Sequence, residues 1–220
     1  MRAVFNELVE LMDPILTLVT VFGIFIPALI LPGPDFVGVL RASMTRGPKA
    51  GLLTALGVST GLLLYSTLSL AGLSAILIEY QWLTWTVRVL GGAYLIYLGI
   101  RLLLSKPENL DVDTEAVPRH FNGFLFGFAV TLTNPKAIVL FASVFATAVT
   151  AETPFWLMAL MVGIVFFSSL VWYSAVSLFL SSRPVMLRFQ HLRHSIERMA
   201  GACFIAIGGK IMADSRNPAL

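Results

Sequence analysis

The chain has 220 residues, of which 57% are hydrophobic and only 12% are charged, with a formal net charge of +3. Soluble domains carry roughly 25% charged residues, so the composition excludes an ordinary water-soluble protein and indicates a polytopic membrane protein. The positive net charge does not point to a nucleic-acid partner, because the lysines and arginines concentrate in short segments between apolar runs.

Six apolar segments are candidates for crossing a hydrocarbon core, which takes about 20 residues of helix. They are residues 14–40, 50–78, 83–104, 122–148, 154–180 and 198–213. Between the third and the fourth lies a polar, acidic stretch, residues 105–121, which is typical of a cytoplasmic linker. The sequence therefore predicts an all-α protein with a single transmembrane domain over 1–220, divided into two repeats at about 14–104 and 122–213.

Proline motifs interrupt the first and the fourth of these segments, at residues 31–35 (LPGPD) and 133–136 (TNPK). Proline lacks a backbone N–H and clashes with the preceding helical turn. In lipid, the carbonyls freed in this way must find other partners inside the protein. Breaks at corresponding places in two halves of a chain are typical of a transporter whose binding site lies near the membrane midplane.

The two halves of the chain also resemble each other. Residues 65–70 (YSTLSL) and 173–178 (YSAVSL) agree at four of six positions, at an offset of 108. The third and sixth segments match at an offset of 110, for example in the pairs Gly91 with Gly201 and Gly99 with Gly209. Three helices is an odd number, so the second repeat must be inverted relative to the first, as in many secondary transporters.

Glycines spaced four residues apart, such as Gly57 and Gly61, predict close helix packing within this bundle. The loop charges predict its orientation, because cytoplasmic loops accumulate lysine and arginine. These residues follow the first, third and fifth segments. Both termini are therefore expected on the periplasmic side.

Several function classes lack their sequence signatures. His191 and His194 are three residues apart but have no third ligand nearby, so no metal site is predicted. We find no catalytic nucleophile with a base, no phosphate-binding glycine loop and no second cysteine beside Cys203. The sequence therefore predicts neither an enzyme nor a cofactor, and the energy for transport must come from a gradient or from the substrate.

Four stretches carry a resemblance to a known family. Residues 32–35 (PGPD), 46–52 (RGPKAGL) and 57–61 (GVSTG), followed by Gly127 and then 133–137 (TNPKA), resemble the signatures of the LysE/RhtB family of bacterial amino-acid exporters. The resemblance implies a multi-pass protein of the bacterial inner membrane that exports amino acids or close derivatives, coupled to protons, by alternating access. It leaves open whether the protein forms a homo-oligomer.

An amino-acid zwitterion needs hydrogen-bond donors for its carboxylate and acceptors for its ammonium group. Lys136 is the candidate for the carboxylate, Asp35 for the ammonium or the coupling proton, and Asn134 for a bridge between them. The broken backbone adds free N–H and C=O groups. The predicted substrate site comprises Pro32, Gly33, Pro34, Asp35, Asn134, Pro135 and Lys136.

Alternatives to this interpretation remain open at the level of sequence. Asp35 and Lys136 could form a constitutive ion pair that only offsets the cost of two charges in lipid. Ser59, Tyr65 and Tyr173 either line the substrate path or serve as interhelical hydrogen-bonding groups. An inorganic-ion or metal exporter on a similar inverted bundle is the alternative function, and it would require a cluster of histidine and carboxylate ligands.

Overall fold

The computed structural model describes residues 2–79, 81–105, 122–148, 153–180 and 183–214, and every element in them is helical. The α-helices are α1 (Arg2–Ile30), α2 (Pro34–Arg46), α3 (Pro48–Glu79), α4 (Gln81–Leu103), α5 (Gly123–Leu132), α6 (Pro135–Ala148), α7 (Phe155–Ala175) and α8 (Arg183–Asp214). A π-helical turn, Val176–Leu180, continues α7.

Both proline breaks lie where the sequence predicts them. The first separates α1 from α2, whose first residue is Pro34 and whose N-cap, Gly33, is extended. The second separates α5 from α6, which begins at Pro135. Proline suits the first position of a helix, where its missing N–H costs nothing. The helices on the two sides of each break are bent by 42° and 59° respectively.

The described residues contain the long apolar helices of a multi-pass membrane protein. Pro48–Gly72 and Phe155–Leu180 are each long and apolar enough to cross a membrane. Each bent pair also qualifies as one broken span, which brings the number of spans in this part of the chain to up to four. The apolar run of α4, Val89–Leu103, is shorter.

Two helices differ in extent from the sequence prediction. The first begins at Arg2 rather than near residue 14, and α8 runs without interruption from Arg183 to Asp214 instead of covering only 198–213. The predicted boundaries rest on hydropathy, whereas a helix also continues through polar residues of good helix propensity. The helix α1 even continues through Pro14 and Pro27. No proline lies between Pro184 and Asp214. Of the predicted linker, residues 106–121 lie outside the described residues.

The core lies between the broken helices and the continuous helices α3 and α7. Fully buried side chains come from each of them, among them Ile24, Phe36, Val58, Phe145 and Met161. By contrast, large apolar side chains cover the outer face of α7, where Phe167 is 64% and Val171 is 70% exposed. An apolar face of this kind fits contact with lipid.

Glycines set the distance between α3 and α5, and the spacing of Gly57 and Gly61 predicts such close helix packing, although not which helix is the partner. A Cβ atom at Gly57 would collide with the carbonyl oxygen of Phe124, and one at Gly127 would collide with that of Thr54. At Gly61 it would lie 2.8 Å from Cβ of Thr131. The two backbones are therefore in direct contact, and this contact positions α5 and the break that follows it.

A second glycine contact joins α4 to α8. A Cβ atom at Gly99 would lie 2.6 Å from the carbonyl oxygen of Gly201, and one at Gly201 would lie 2.8 Å from that of Gly99. Gly92 and Gly208 face each other in the same way, at 3.2 and 2.7 Å. Each glycine thus leaves room for the backbone of the glycine facing it, and the two helices pack antiparallel to each other.

Replacing Gly57 by alanine is expected to destabilise the protein, although alanine is the better helix former by about 1 kcal/mol. The added methyl group meets a backbone oxygen that cannot rotate away, and overpacking of this kind costs about 1–3 kcal/mol. Gly72→Ala in the same helix is the matched control, because a Cβ atom there meets nothing within 4 Å. Thermal unfolding in detergent would measure the difference, and equal stability of the two variants would contradict the packing described.

Candidate substrate-binding cavity

Asp35 lies in the first turn of α2, immediately after the first break, and is 6% exposed. Its carboxylate accepts two hydrogen bonds from the second broken helix. The Thr131 hydroxyl donates to Oδ1 at 3.0 Å, and the Asn134 amide donates to Oδ2 at 3.0 Å. Because the donors are in one half of the chain and the acceptor is in the other, this polar cluster joins the two breaks.

Lys136 repairs the first break from the opposite side. In a continuous helix the carbonyl of Ala28 would accept from residue 32, but Pro32 has no N–H to donate. The Lys136 ammonium donates to that carbonyl instead, with Nζ 3.1 Å from the oxygen. A side chain of the second repeat therefore takes the place of an amide missing from the first, as the absence of water in lipid requires.

The second break is completed in a similar way by Asn134 and Tyr65. The Oδ1 atom of Asn134 accepts from the backbone N–H of Lys136 at 3.1 Å and so caps α6. The carbonyl of Leu132, which would otherwise accept from that N–H, accepts from the hydroxyl of Tyr65 at 2.8 Å. Tyr65 of α3 thus has a structural hydrogen bond at the break.

A small cavity lies where the two breaks meet. Its volume is about 30 Å³, enough for a water-sized molecule. An amino acid does not fit it, so the site is closed around Asp35 in this conformation. Its lining residues are Phe25, Ala28, Leu29, Leu31, Gly33, Asp35, Leu62, Asn134, Lys136, Ala137, Leu140, Phe141 and Tyr173.

Asp35 and Lys136 both line this cavity but form no direct ion pair within 4.0 Å. Neutral groups hold each of them: the carboxylate bonds to Thr131 and Asn134, and the ammonium bonds to the Ala28 carbonyl. The cavity thus presents a hydrogen-bond acceptor and a cationic donor that are not consumed by each other. This is the chemistry that a zwitterion requires.

The other residues singled out in the sequence have different positions. Tyr173 lines the cavity, and its hydroxyl forms no hydrogen bond with any described residue. Ser59 is fully buried in α3 with its hydroxyl unpartnered in the described structure, and it is not among the cavity's lining residues. Pro32 and Pro135 do not line it either, and their part is to interrupt the helices.

Sequence reasoning missed Thr131 and the Ala28 carbonyl. Thr131 lies in the last turn of α5, three residues before Asn134 in the break, and both side chains donate to Asp35. A polar residue at that spacing from the motif was the signal that could have identified it. The Ala28 carbonyl has no such signal, because a backbone acceptor is not distinguished by residue type.

Among the described residues, no group of three or more histidine, cysteine, aspartate or glutamate side chains is placed to hold a metal ion.

A polar cavity between two broken apolar helices is the architecture of a membrane transporter. The family model for LysE type translocators matches residues 26–215, and the chain belongs to this family. This confirms the resemblance seen in the sequence.

Curated relatives cover nearly the whole chain. The threonine efflux protein of Escherichia coli (strain K12) is 32% identical over 197 residues, covering 86% of this chain and 94% of the relative. The threonine efflux protein of Salmonella typhi is 28% identical over 193 residues, with the same coverage. The uncharacterized membrane protein YahN of E. coli K12 is also 28% identical, over 87% of this chain and 86% of its own length. No solved structure matches the chain.

Proposed function

We propose that this protein is a secondary exporter of amino acids or close derivatives across the bacterial inner membrane. Its membership of a translocator family and its similarity to proteins named for threonine efflux support this proposal. The observation that carries it is the cavity itself, where Asp35 and Lys136 come together from two broken helices without pairing directly.

In this proposal, Lys136 binds the carboxylate of the substrate and Asp35 binds its ammonium group or the coupling proton. Asn134 bridges Asp35 and Lys136, because its side-chain N–H already donates to the Asp35 carboxylate and its Oδ1 accepts from the backbone N–H of Lys136. The backbone N–H groups at the start of α2, which have no partner within the helix, add positive potential near the carboxylate of the substrate. Pro32, Gly33, Pro34 and Pro135 keep the backbone unwound at this level.

We further propose that the chain is one domain of six transmembrane helices in two inverted three-helix repeats, with both termini periplasmic. The glycine contacts between α4 and α8 support this arrangement. At an offset of 109 residues, Gly92 of the first repeat corresponds to Gly201 of the second, and Gly99 corresponds to Gly208. The contact between Gly99 and Gly201 is therefore the symmetry equivalent of the contact between Gly208 and Gly92. This relation favours an offset of 109 over the 110 read from the sequence.

Transport by alternating access requires that the closed cavity widen. With a volume of about 30 Å³ it does not admit an amino acid, so the bends of 42° and 59° are the places where the halves must move apart. Protonation of Asp35 would weaken its hold on Thr131 and Asn134, because charge-assisted hydrogen bonds are roughly twice as strong as neutral ones. Proton binding and opening are thus coupled at one residue.

Counterflow in proteoliposomes against a panel of the twenty amino acids, with and without a pH gradient, tests the proposed function. We expect exchange of at least one amino acid and accumulation driven by the gradient. Exchange that is indifferent to the gradient would remove the proton from the mechanism. Failure to exchange any amino acid, with the protein correctly inserted, would overturn the proposal.

A further inference from the structure

A second, larger cavity lies on the other side of the two breaks. It is an open groove of about 360 Å³ between α2 and α5, and its volume is within the range of about 300–1,000 Å³ usual for small-molecule sites. Its lining residues are Pro34, Val37, Gly38, Arg41, Phe126, Val130, Thr133 and Asn134.

The two cavities draw mainly on different halves of the broken helices. Side chains of α1 and α6 contribute most of the small cavity, together with Asp35 at the start of α2, whereas α2 and α5 form the groove. Among the described residues, Asn134 is the one that lines both cavities. Asn134, whose amide donates to Asp35, therefore marks the place where the two cavities adjoin.

Arg41 gives the groove a specific chemistry. It lies on α2 about two turns beyond Asp35, and its Nε is buried without a hydrogen-bond partner. No hydrogen bond or ion pair among the described residues engages its guanidinium group. A buried N–H donor without an acceptor is costly unless a ligand satisfies it, and the rest of the half-buried Arg41 guanidinium carries the positive charge that an anion would neutralise. Arg is also the side chain best suited to a planar carboxylate.

We propose that this groove is an outer substrate subsite in which Arg41 binds the carboxylate of an amino acid before it passes the Asp35 cluster. This inference rests on the proposed export function. On the proposed orientation the groove opens to the cytoplasm, because Arg41 lies in the half of the first broken span that leads to the basic residues Arg46 and Lys49. Substrate released by the cell would therefore meet Arg41 first and Lys136 second.

Vesicles of both orientations test this order. In inside-out vesicles, Arg41→Gln is expected to raise the KM for the transported amino acid roughly tenfold or more, the loss due to one charge-assisted hydrogen bond. The maximal rate should stay within about twofold, and the KM at the periplasmic face of right-side-out vesicles should not change. Arg41→Lys should restore part of the affinity, since it keeps the charge.

Two further variants separate the ligand role from folding. Gly38→Ala narrows the groove without removing charge, because its Cβ atom would lie 3.6 Å from Phe126 and Val130, an ordinary contact. It should also raise the KM at the cytoplasmic face. Arg46→Gln, at an exposed position of the same helix, removes the same charge outside the groove and is the control.

Three outcomes would overturn the inference. An unchanged KM at the cytoplasmic face of both Arg41→Gln and Gly38→Ala, with active wild type, removes the subsite but leaves the exporter intact. A wild-type activity that depends on anionic phospholipid, and loses that dependence in Arg41→Gln, assigns the groove to a lipid phosphate. A wild type that transports no amino acid refutes the export function itself, and the subsite with it.

Discussion

Lys136→Met is expected to reduce export strongly while the protein still reaches the membrane. Methionine keeps the apolar length of the side chain but removes the ammonium, which bonds to the Ala28 carbonyl and lines the cavity. A hydrogen bond to a charged group is worth about 1.5–3 kcal/mol, so losing the carboxylate ligand should lower transport by about ten- to a hundredfold. Counterflow in proteoliposomes with equal amounts of protein measures the effect.

Lys210→Met is the matched control for this experiment. It removes the same charge from an exposed position on α8, away from both cavities. We expect normal export by this variant. If the Lys136→Met variant exports as fast as the Lys210→Met variant, Lys136 is not a substrate ligand.

Asp35→Asn is expected to uncouple transport from protons. The carboxylate accepts from two donors, whereas an amide has one oxygen and brings N–H groups of its own, so one of the existing bonds is lost. Accumulation driven by a pH gradient should fall at least about tenfold, since the residue no longer titrates. Exchange without a gradient should be less affected, because the amide oxygen still accepts from an ammonium group.

The double variant Asp35→Asn with Lys136→Met distinguishes a ligand role from simple neutralisation. If the two charges only offset each other, removing both should restore export relative to either single variant. Because Asp35 and Lys136 bond to neutral groups and not to each other, we expect the double variant to transport no better than either single variant. Full gradient-driven export by Asp35→Asn alone would exclude it as the proton carrier.

The proline breaks could be predicted from sequence because their cause is local. Pro32, Pro34 and Pro135 remove backbone donors wherever they stand, and the structure ends and begins helices at these residues. Close packing of α3 was also predictable, because Gly57 and Gly61 lie on one face of the helix and present no side chain there, whereas its partner helix was identified only by the structure. Both features follow from residue type and spacing alone.

What the sequence could not predict depends on tertiary contacts. Asp35 and Lys136 were correctly expected near each other, but the neutral groups that hold them apart belong to other helices. The groove at Arg41 was missed because arginine after a span is the usual sign of a cytoplasmic loop. Only packing shows that its Nε is buried. The predicted extent of α8 was wrong because hydropathy indicates which residues contact lipid and not how long the helix is.

The bond from Lys136 to Ala28 also has an energetic consequence for the transport cycle. One cation completes the backbone of α1 in the closed form and is also the proposed ligand of the substrate carboxylate, so in this proposal its N–H donors are divided between the two. An arriving carboxylate would compete with the Ala28 oxygen and loosen the end of α1. Occupancy would then lower the barrier to opening, so an empty carrier would stay shut and leak little.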